Sequence, residues 1–458
     1  MTIRLQLLIP VTVAIALASA CSSDSADFSE GGSGASGAGN GGTVAHAGAG
    51  THAGGAGTAG STGDAGAAGR AAAEGGAGGD TGAPPEGGTG GDSAPLGDGG
   101  SAGNAGSAGN AGDSGEPEPA LQRYAYVSTF LNGLTPVSID PATGKLSKLS
   151  ASPINPGGQL YAVSVDPAQR FVYTADQATK KINTYSIAAD GSLPALPNSS
   201  VTIAGRPTSL TLDVQGHFAY LASSDEDKGI YAFKIDSTSG ALTAVGDPVQ
   251  LADSSPAYVA ADPTGHFVYA SLNGVFGIRG YRVDQTSGAL SELPGSPFAL
   301  AQVFAGAIVF HPAGGYLFSA GNGLNAYAID ATSGALTRVE GSPFSTQVSS
   351  DPSASNLVVE PRGKYLYATS FLNPPRVFGF AIDSSNGKLT AVPGEPIKGG
   401  SPYSLGVEPS ARFVFACHDD GTTSVFSLQR ADGTLHEIDG SPFQIGGLQP
   451  EIAFATAH

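Results

Sequence analysis

An aromatic-x-aromatic pair recurs seven times along the second part of this chain: Tyr124/Tyr126, Phe171/Tyr173, Phe218/Tyr220, Phe267/Tyr269, Tyr316/Phe318, Tyr365/Tyr367 and Phe413/Phe415. The spacings between first members are 47, 47, 49, 49, 49 and 48 residues. A period of that length is the mark of one supersecondary unit that cannot bury its apolar face alone and stacks on its neighbours. The repeats leave room for one architecture rather than several domains.

Each repeat reads as four strands. A small, apolar strand such as Ser209-Leu210-Thr211-Leu212 ends at an acidic turn, often Asp-Pro-x-Gly as in Asp262 to Gly265, and the aromatic strand follows. A third strand alternates in period 2, as in Ile230 to Ile235. A glycine turn comes next, at Gly144, Gly191, Gly240, Gly288, Gly334, Gly387 and Gly433, where positive φ is needed. Leucine two residues later (Leu146, Leu193, Leu242, Leu290, Leu336, Leu389, Leu435) opens the fourth strand. Seven four-stranded units without a helical period predict an all-β chain, a seven-bladed β-propeller over residues 121–458. The first repeat lacks its innermost strand and the chain ends on Ile452-Ala453-Phe454-Ala455-Thr456, a strand of that type, so one plus three strands should complete the first blade.

The phrases Val165-Asp166-Pro167 to Phe171-Val172-Tyr173, Val359-Glu360-Pro361-Arg362-Gly363-Lys364-Tyr365, and Ile-Asp-x-x-Ser/Thr-Gly-x-Leu at Ile139, Ile235, Ile329 and Ile382 resemble the lactonase-type seven-bladed propellers. That family includes bacterial 6-phosphogluconolactonase and fungal carboxy-muconate cyclase, and is related to the YVTN-type surface repeats. The resemblance implies this fold and, for enzymatic members, chemistry on lactones. Those members carry His-Pro-His and Asp-Leu-Gly phrases in one blade, a Gly-Pro-Arg-His phrase before Phe-His-Pro in the next, and Asn-Arg-Gly or Asp-Arg in the one after. Here Phe310-His311-Pro312 matches, but Gly306-Ala307 stand where Arg-His is expected, Leu272-Asn273-Gly274 replaces Asp-Leu-Gly, and Phe371-Leu372 fall near a later arginine position. The family's catalytic residues are therefore carried over to none of these positions.

Composition divides the chain at residue 120. Of 68 glycines, 33 lie between Gly31 and Gly115, and residues 22–120 hold one aromatic (Phe28), one base (Arg70) and twelve acids, a net charge of 1 − 12 = −11. Such a segment cannot offset its ordering entropy and is predicted to be a disordered Gly/Ala/Ser-rich tether. Before it, Arg4, an apolar stretch from Leu5 to Leu17 and Ala18-Ser19-Ala20-Cys21 read as a lipoprotein signal peptide over 1–20, with Cys21 as the lipidated residue; plain secretion with cleavage after Ala20 is the alternative. Either route takes the protein out of the cytoplasm; in the first it stays at the bacterial cell envelope, held to the membrane only by a lipid anchor. Beyond residue 120, 19 basic and 27 acidic residues leave 19 − 27 = −8, which disfavours nucleic acid as a partner. Two cysteines, Cys21 and Cys417, form no metal framework, and no cofactor or metal is expected. The propeller should be a monomer.

The repeat also sorts structure from function. Asp166, Asp213, Asp262, Glu360 and Glu408 recur at the first turn, and Asp140, Asp236, Asp284, Asp330 and Asp383 at the second, where carboxylates accept backbone N–H bonds. Residues that break the period near the mouth, built by the loops entering the first strand and joining the second and third, are the functional candidates. His418 with Asp419 could act as base and orienting acid, and Arg206 or Arg376 could polarise a carbonyl. Asp176, Gln302, Lys398 and Glu451 are candidate binding residues for a small molecule or an envelope protein. His418-Asp419-Asp420-Gly421 can also be read as a solvated turn, and Asp225-Glu226-Asp227 as a solvated acidic tip. Two functions stay open: a tethered module that binds through its mouth without turnover, and an extracytoplasmic lactone hydrolase or lactonising enzyme.

Overall fold

The computed structural model describes residues 121–149, 152–154, 159–251, 254–273, 277–298, 306–321, 323–345, 354–370, 375–394, 397–398 and 400–456. The signal peptide, Cys21, the tether and Gln302 lie outside these residues.

Seven antiparallel sheets make seven blades, each running from an inner strand outward. The inner strands of blades 2 to 7 are Leu160–Val165, Arg206–Leu212, Ser255–Ala261, Ile308–Phe310, Leu357–Val359 and Pro402–Val407. That of blade 1 is Glu451–Thr456, which pairs with Arg123–Thr129 from the other end of the propeller (Ser128 opposite Glu451, Arg123 opposite Thr456). The one-plus-three closure expected from the sequence is thus present. The backbone N–H and hydroxyl of Thr456 both reach Gln169 Oε1 in blade 2, which fixes the end of the closing strand. Among the described residues the single helical segment is a 3-10 turn at Asp225–Asp227. The outer edges of blades 3, 6 and 7 carry short extra strands, such as Val249–Gln250 pairing with the third strand of blade 3. These cover ladder groups that an edge would leave open.

The aromatic pair and the turn glycine form one joint between neighbouring blades. The first aromatic of each blade covers the turn glycine of the next: Phe171 on Gly240, Phe218 on Gly288, Phe267 on Gly334, Tyr316 on Gly387. Where the second aromatic is tyrosine, its hydroxyl donates to the carbonyl of the same glycine, at 3.0 Å from Tyr173 to Gly240 and 2.7 Å from Tyr269 to Gly334. Apart from the half-buried Tyr316, these rings are buried with the strands around them, so the inter-blade core and the sequence period have the same origin. The first-turn acids behave as expected: Asp213 Oδ1 accepts the N–H groups of His217 and Phe218, both at 2.7 Å. At that position blade 5 has His311, whose Nδ1 accepts the Ala313 N–H at 3.2 Å.

One strand differs from expectation. In blade 2 the outer strand is Ser199–Thr202, not a strand opening at Leu193. Leu193 and Leu196 each precede a proline, which has no N–H to give a ladder, so pairing resumes only after Pro197. Leu193 is still buried, and Leu196 is exposed.

Candidate functional site

The inner strands wall a central channel, and four of them are distorted near their first residues. The ladder between inner and second strand slips at Leu160/Ala162, Pro207/Ser209, Pro256/Tyr258 and Pro402/Ser404. A bulge inserts one residue and re-aims a side chain; in blades 2 and 7 the inserted residues are Tyr161 and Tyr403. Their hydroxyls meet, with Tyr403 donating to Tyr161 at 3.3 Å, across 242 positions of sequence. Blade 1 lies between these two blades, and its inner strand opens with Glu451. Tyr258, just past the bulge of blade 4, completes the group: it acts electrostatically on Tyr403 and is acted on by Glu451 and Tyr161.

These four side chains are half-buried. Enclosure strips solvent from their charged forms. It raises the carboxyl of Glu451 to about 7 and pushes the phenols of Tyr161, Tyr258 and Tyr403 further above 10, with nearby Glu451 adding to the effect on each phenol. At neutral pH the cluster therefore offers three neutral hydroxyls and one carboxyl divided between its two protonation states.

Arg206 begins the inner strand of blade 3, next to Tyr161, and helps to hold that phenol down toward its ordinary value. Its guanidinium donates to Gln177 Oε1 at 2.7 Å and to Asp225 Oδ2 at 3.1 Å, and Gln177 Nε2 donates to the Pro207 carbonyl at 2.9 Å. The acidic tip is thus partly engaged in holding Arg206. Asp227 also binds within the protein, to the Tyr231 hydroxyl and, at 2.6 Å, to Gln250 Nε2.

The other candidates fall elsewhere. His418 is the last residue of the second strand of blade 7, not the first of an open turn. It is buried, its Nε2 lies 2.9 Å from Ser424 Oγ, Gly400 packs on its ring, and burial lowers its pKa. Its burial does not fit a solvated turn. Asp176 stands at the matching position in blade 2; it is fully buried and its Oδ1 accepts the N–H groups of Gln159, Ala178 and Thr179 at 3.1, 2.9 and 3.1 Å. That oxygen shapes its loop, whereas Oδ2 is buried without a hydrogen-bond partner. Asp419 is half-buried and accepts the Gln449 N–H at 3.2 Å. Arg376 opens the third strand of blade 6, directly opposite Lys398 in the short extra strand, and so belongs to the rim of that blade. Cys417 is buried and its thiol is pushed up to about 12, which keeps it unreactive. No group of three or more His, Cys, Asp or Glu side chains suited to a metal occurs among the described residues.

The sequence matches the family described as "Lactonase, 7-bladed beta-propeller" over residues 196–273 and 256–447, more than half of the chain. The chain belongs to this lactonase family. Among solved structures it is similar to a putative 6-phosphogluconolactonase from Bacteroides fragilis, with a TM-score of 0.60 at 18% identity, covering 75% of this chain and 100% of that one. The periplasmic gluconolactonase of Pseudomonas aeruginosa gives a TM-score of 0.60 at 17% identity, covering 74% of this chain and 100% of that one. A second putative 6-phosphogluconolactonase, from Bacteroides uniformis, gives 0.59 at 16% identity, covering 73% and 99%. No curated protein matches the chain by sequence. At these identities the likeness establishes the fold.

Proposed function

We propose that the mouth of this propeller binds an uncharged lactone ring and opens it with water, Glu451 acting as general base. The observation that carries the reading is the placement of one carboxyl among three tyrosine hydroxyls contributed by blades 1, 2, 4 and 7. The Glu451 carboxylate takes a proton from water as its oxygen bonds to the lactone carbonyl carbon. The charge that develops on the carbonyl oxygen is met by phenol O–H donors. Collapse breaks the acyl–oxygen bond of the ring, and the departing ring oxygen takes the proton back from Glu451. The product is a hydroxy acid, and Glu451 is regenerated. A base whose pKa lies near neutral pH suits this exchange.

A neutral substrate fits better than a phosphorylated one. The chain carries a net charge of −18, and Arg206, the cation beside Tyr161, is already engaged by Gln177 and Asp225. The leader over residues 1–20, Cys21 after it and the acidic segment 22–120 support a place outside the cytoplasm, with the propeller on a lipid-held tether. The reading in which the mouth binds without turnover is favoured by the replaced family phrases, two of whose residues, Ala307 and Leu272, are buried.

A panel of neutral and phosphorylated lactones, assayed with the full chain and with Glu451→Gln and Tyr403→Phe, separates these readings. Turnover of neutral lactones that disappears in Glu451→Gln supports hydrolysis. Absence of turnover, together with a ligand-induced rise in melting temperature that Tyr403→Phe weakens, would instead establish the binding module.

A further inference from the structure

Glu451 is delivered to the mouth by a bend whose geometry is set from both sides. Gln449 adopts φ +49°, a left-handed conformation uncommon for a residue with a side chain. Its N–H is held by Asp419 Oδ1 at 3.2 Å, and the carbonyl of Pro450 accepts the Ser404 hydroxyl at 2.7 Å. Just upstream, the Phe130 N–H donates to the Leu448 carbonyl at 2.9 Å, and the N–H groups of Ile445 and Gly446 share the Gly421 carbonyl at 3.0 and 2.9 Å. The backbone is pressed closely here: a Cβ on Gly446 would lie 2.6 Å from Thr129 Cγ2, and one on Gly447 2.6 Å from Asn132 Nδ2. Residues 445–451 are therefore set between the loop after His418 in blade 7 and the loop after Thr129 in blade 1.

In that arrangement Asp419 supplies the side-chain acceptor two residues from Glu451, at the one position whose backbone is left-handed. We propose that Asp419 is a positioning residue for Glu451: by holding the Gln449 N–H it fixes the direction in which the carboxyl enters the tyrosine cluster. The inference rests on the mouth reading above and adds what controls its acid. Asp419 touches neither the cluster nor a substrate; it acts through the backbone. Its own N–H is anchored to the Ser401 carbonyl at 3.1 Å, so the acceptor is tied to the same blade that contributes Tyr403. Without that hold the bend can relax toward an ordinary conformation, and Glu451 turns with it.

The chain contains no tryptophan, so its emission comes from its 15 tyrosines, and Tyr161, Tyr258 and Tyr403 are the ones placed around Glu451. A carboxylate formed beside a phenol quenches it, and the difference between the wild-type full chain and Glu451→Gln isolates that transition. We expect Asp419→Ala to move its midpoint by at least about half a pH unit and to lower kcat/KM on a neutral lactone about tenfold with KM little changed. Asp419→Asn retains the acceptor oxygen and restores both. Where Asp419→Ala does not fold, Asp419→Glu, which displaces the acceptor by one methylene, serves in its place and gives the same shift. A midpoint that stays in place while the melting temperature falls overturns the proposal and leaves Asp419 as part of the closure alone. A midpoint that moves in a protein with no turnover upholds positioning and removes the hydrolase reading, so the two failures are distinguishable.

Discussion

The ring of Phe413 in blade 7 lies over Gly144 in blade 1, its Cδ1 and Cε1 only 2.6 and 2.7 Å from where a Cβ on that glycine would stand. This joint closes the circle, because it links the last blade to the first. Gly144 also has φ +76°, so two demands coincide at one residue. Gly246, at φ +63°, has nothing within 4 Å of its absent Cβ and provides the comparison. Gly246→Ala should cost about 1–2 kcal/mol from the left-handed backbone alone. Gly144→Ala should cost about 2–4 kcal/mol, since the ring must also give way. Equal losses in denaturant titrations of the two variants would show that the aromatic lid is not part of the closure.

A second link between blades 7 and 1 is ionic. Arg123 Nε lies 3.2 Å from Glu408 Oε2, with side-chain exposures of 6% and 0%. Glu408 also receives the N–H groups of Arg412 and Phe413, at 2.8 and 3.3 Å, so it organises the turn that leads into the covering ring. Replacing Arg123 by Met leaves that carboxylate buried without its cation, a loss of about 3 kcal/mol. Deleting residues 450–458 removes the partner strand of Arg123–Thr129 altogether. Calorimetry should show a single transition at lower temperature for both changes. A truncated protein that melts like the full chain would place the stability of the ring elsewhere.

The fold was legible because the joint itself is periodic: each aromatic pair meets a glycine one repeat further on, so selection for packing writes the spacing into the chain. The outer strand of blade 2 was not, since Pro194 and Pro197 interrupt a pattern that leucine position alone suggested. At the mouth, Arg206 and Glu451 stood out as departures from the repeat. Tyr161, Tyr258 and Tyr403 did not, because they sit inside small, apolar strands where tyrosine passes for packing. The bulge that turns Tyr161 and Tyr403 into the channel is a tertiary event. A usable signal was nevertheless present: Leu160-Tyr161 and Pro402-Tyr403 occupy the same position in their blades, opposite Asp176 and His418. Those two polar residues end their strands, where Asp176 accepts backbone N–H groups and His418 packs against Gly400.

His418 should therefore behave as a structural histidine. Burial lowers its pKa from 6.5, so the unfolded chain binds its proton more readily than the folded one. The stabilising contribution of the neutral ring is complete above about pH 6.5 and declines as the pH falls through that value toward the lower folded pKa. His418→Ala should lose about 1–3 kcal/mol at pH 8, from the cavity and the unpartnered Ser424 hydroxyl. The midpoint of any pH–rate profile should stay where it is. A displaced midpoint would return His418 to the list of groups that govern the reaction.

Glu451 shows the opposite linkage, and stability and activity ask opposite things of it. Its folded pKa, about 7, is raised from 4.5 by burial, so the folded protein holds the proton that the unfolded chain releases. The resulting stability is fully present below pH 4.5 and is lost as the pH rises to about 7, whereas the base of the proposed ring opening exists only once that proton has left. Glu451→Gln keeps a neutral side chain at every pH. It should match the wild type in stability near pH 4 and exceed it by about 1–3 kcal/mol at pH 8, the lower figure applying if channel water screens the charge. In the same variant kcat/KM on a neutral lactone should fall by about 10²–10⁴, while in the wild type it should rise with pH to a plateau above 7. Between pH 4.5 and 6.5 the contribution of His418 has the opposite slope, so the comparison needs Glu451→Gln in both the wild-type and His418→Ala backgrounds. If Glu451→Gln follows the wild-type stability curve from pH 4 to pH 8, Glu451 remains accessible to bulk water, and a base poised at neutral pH has to be sought at another position in the channel.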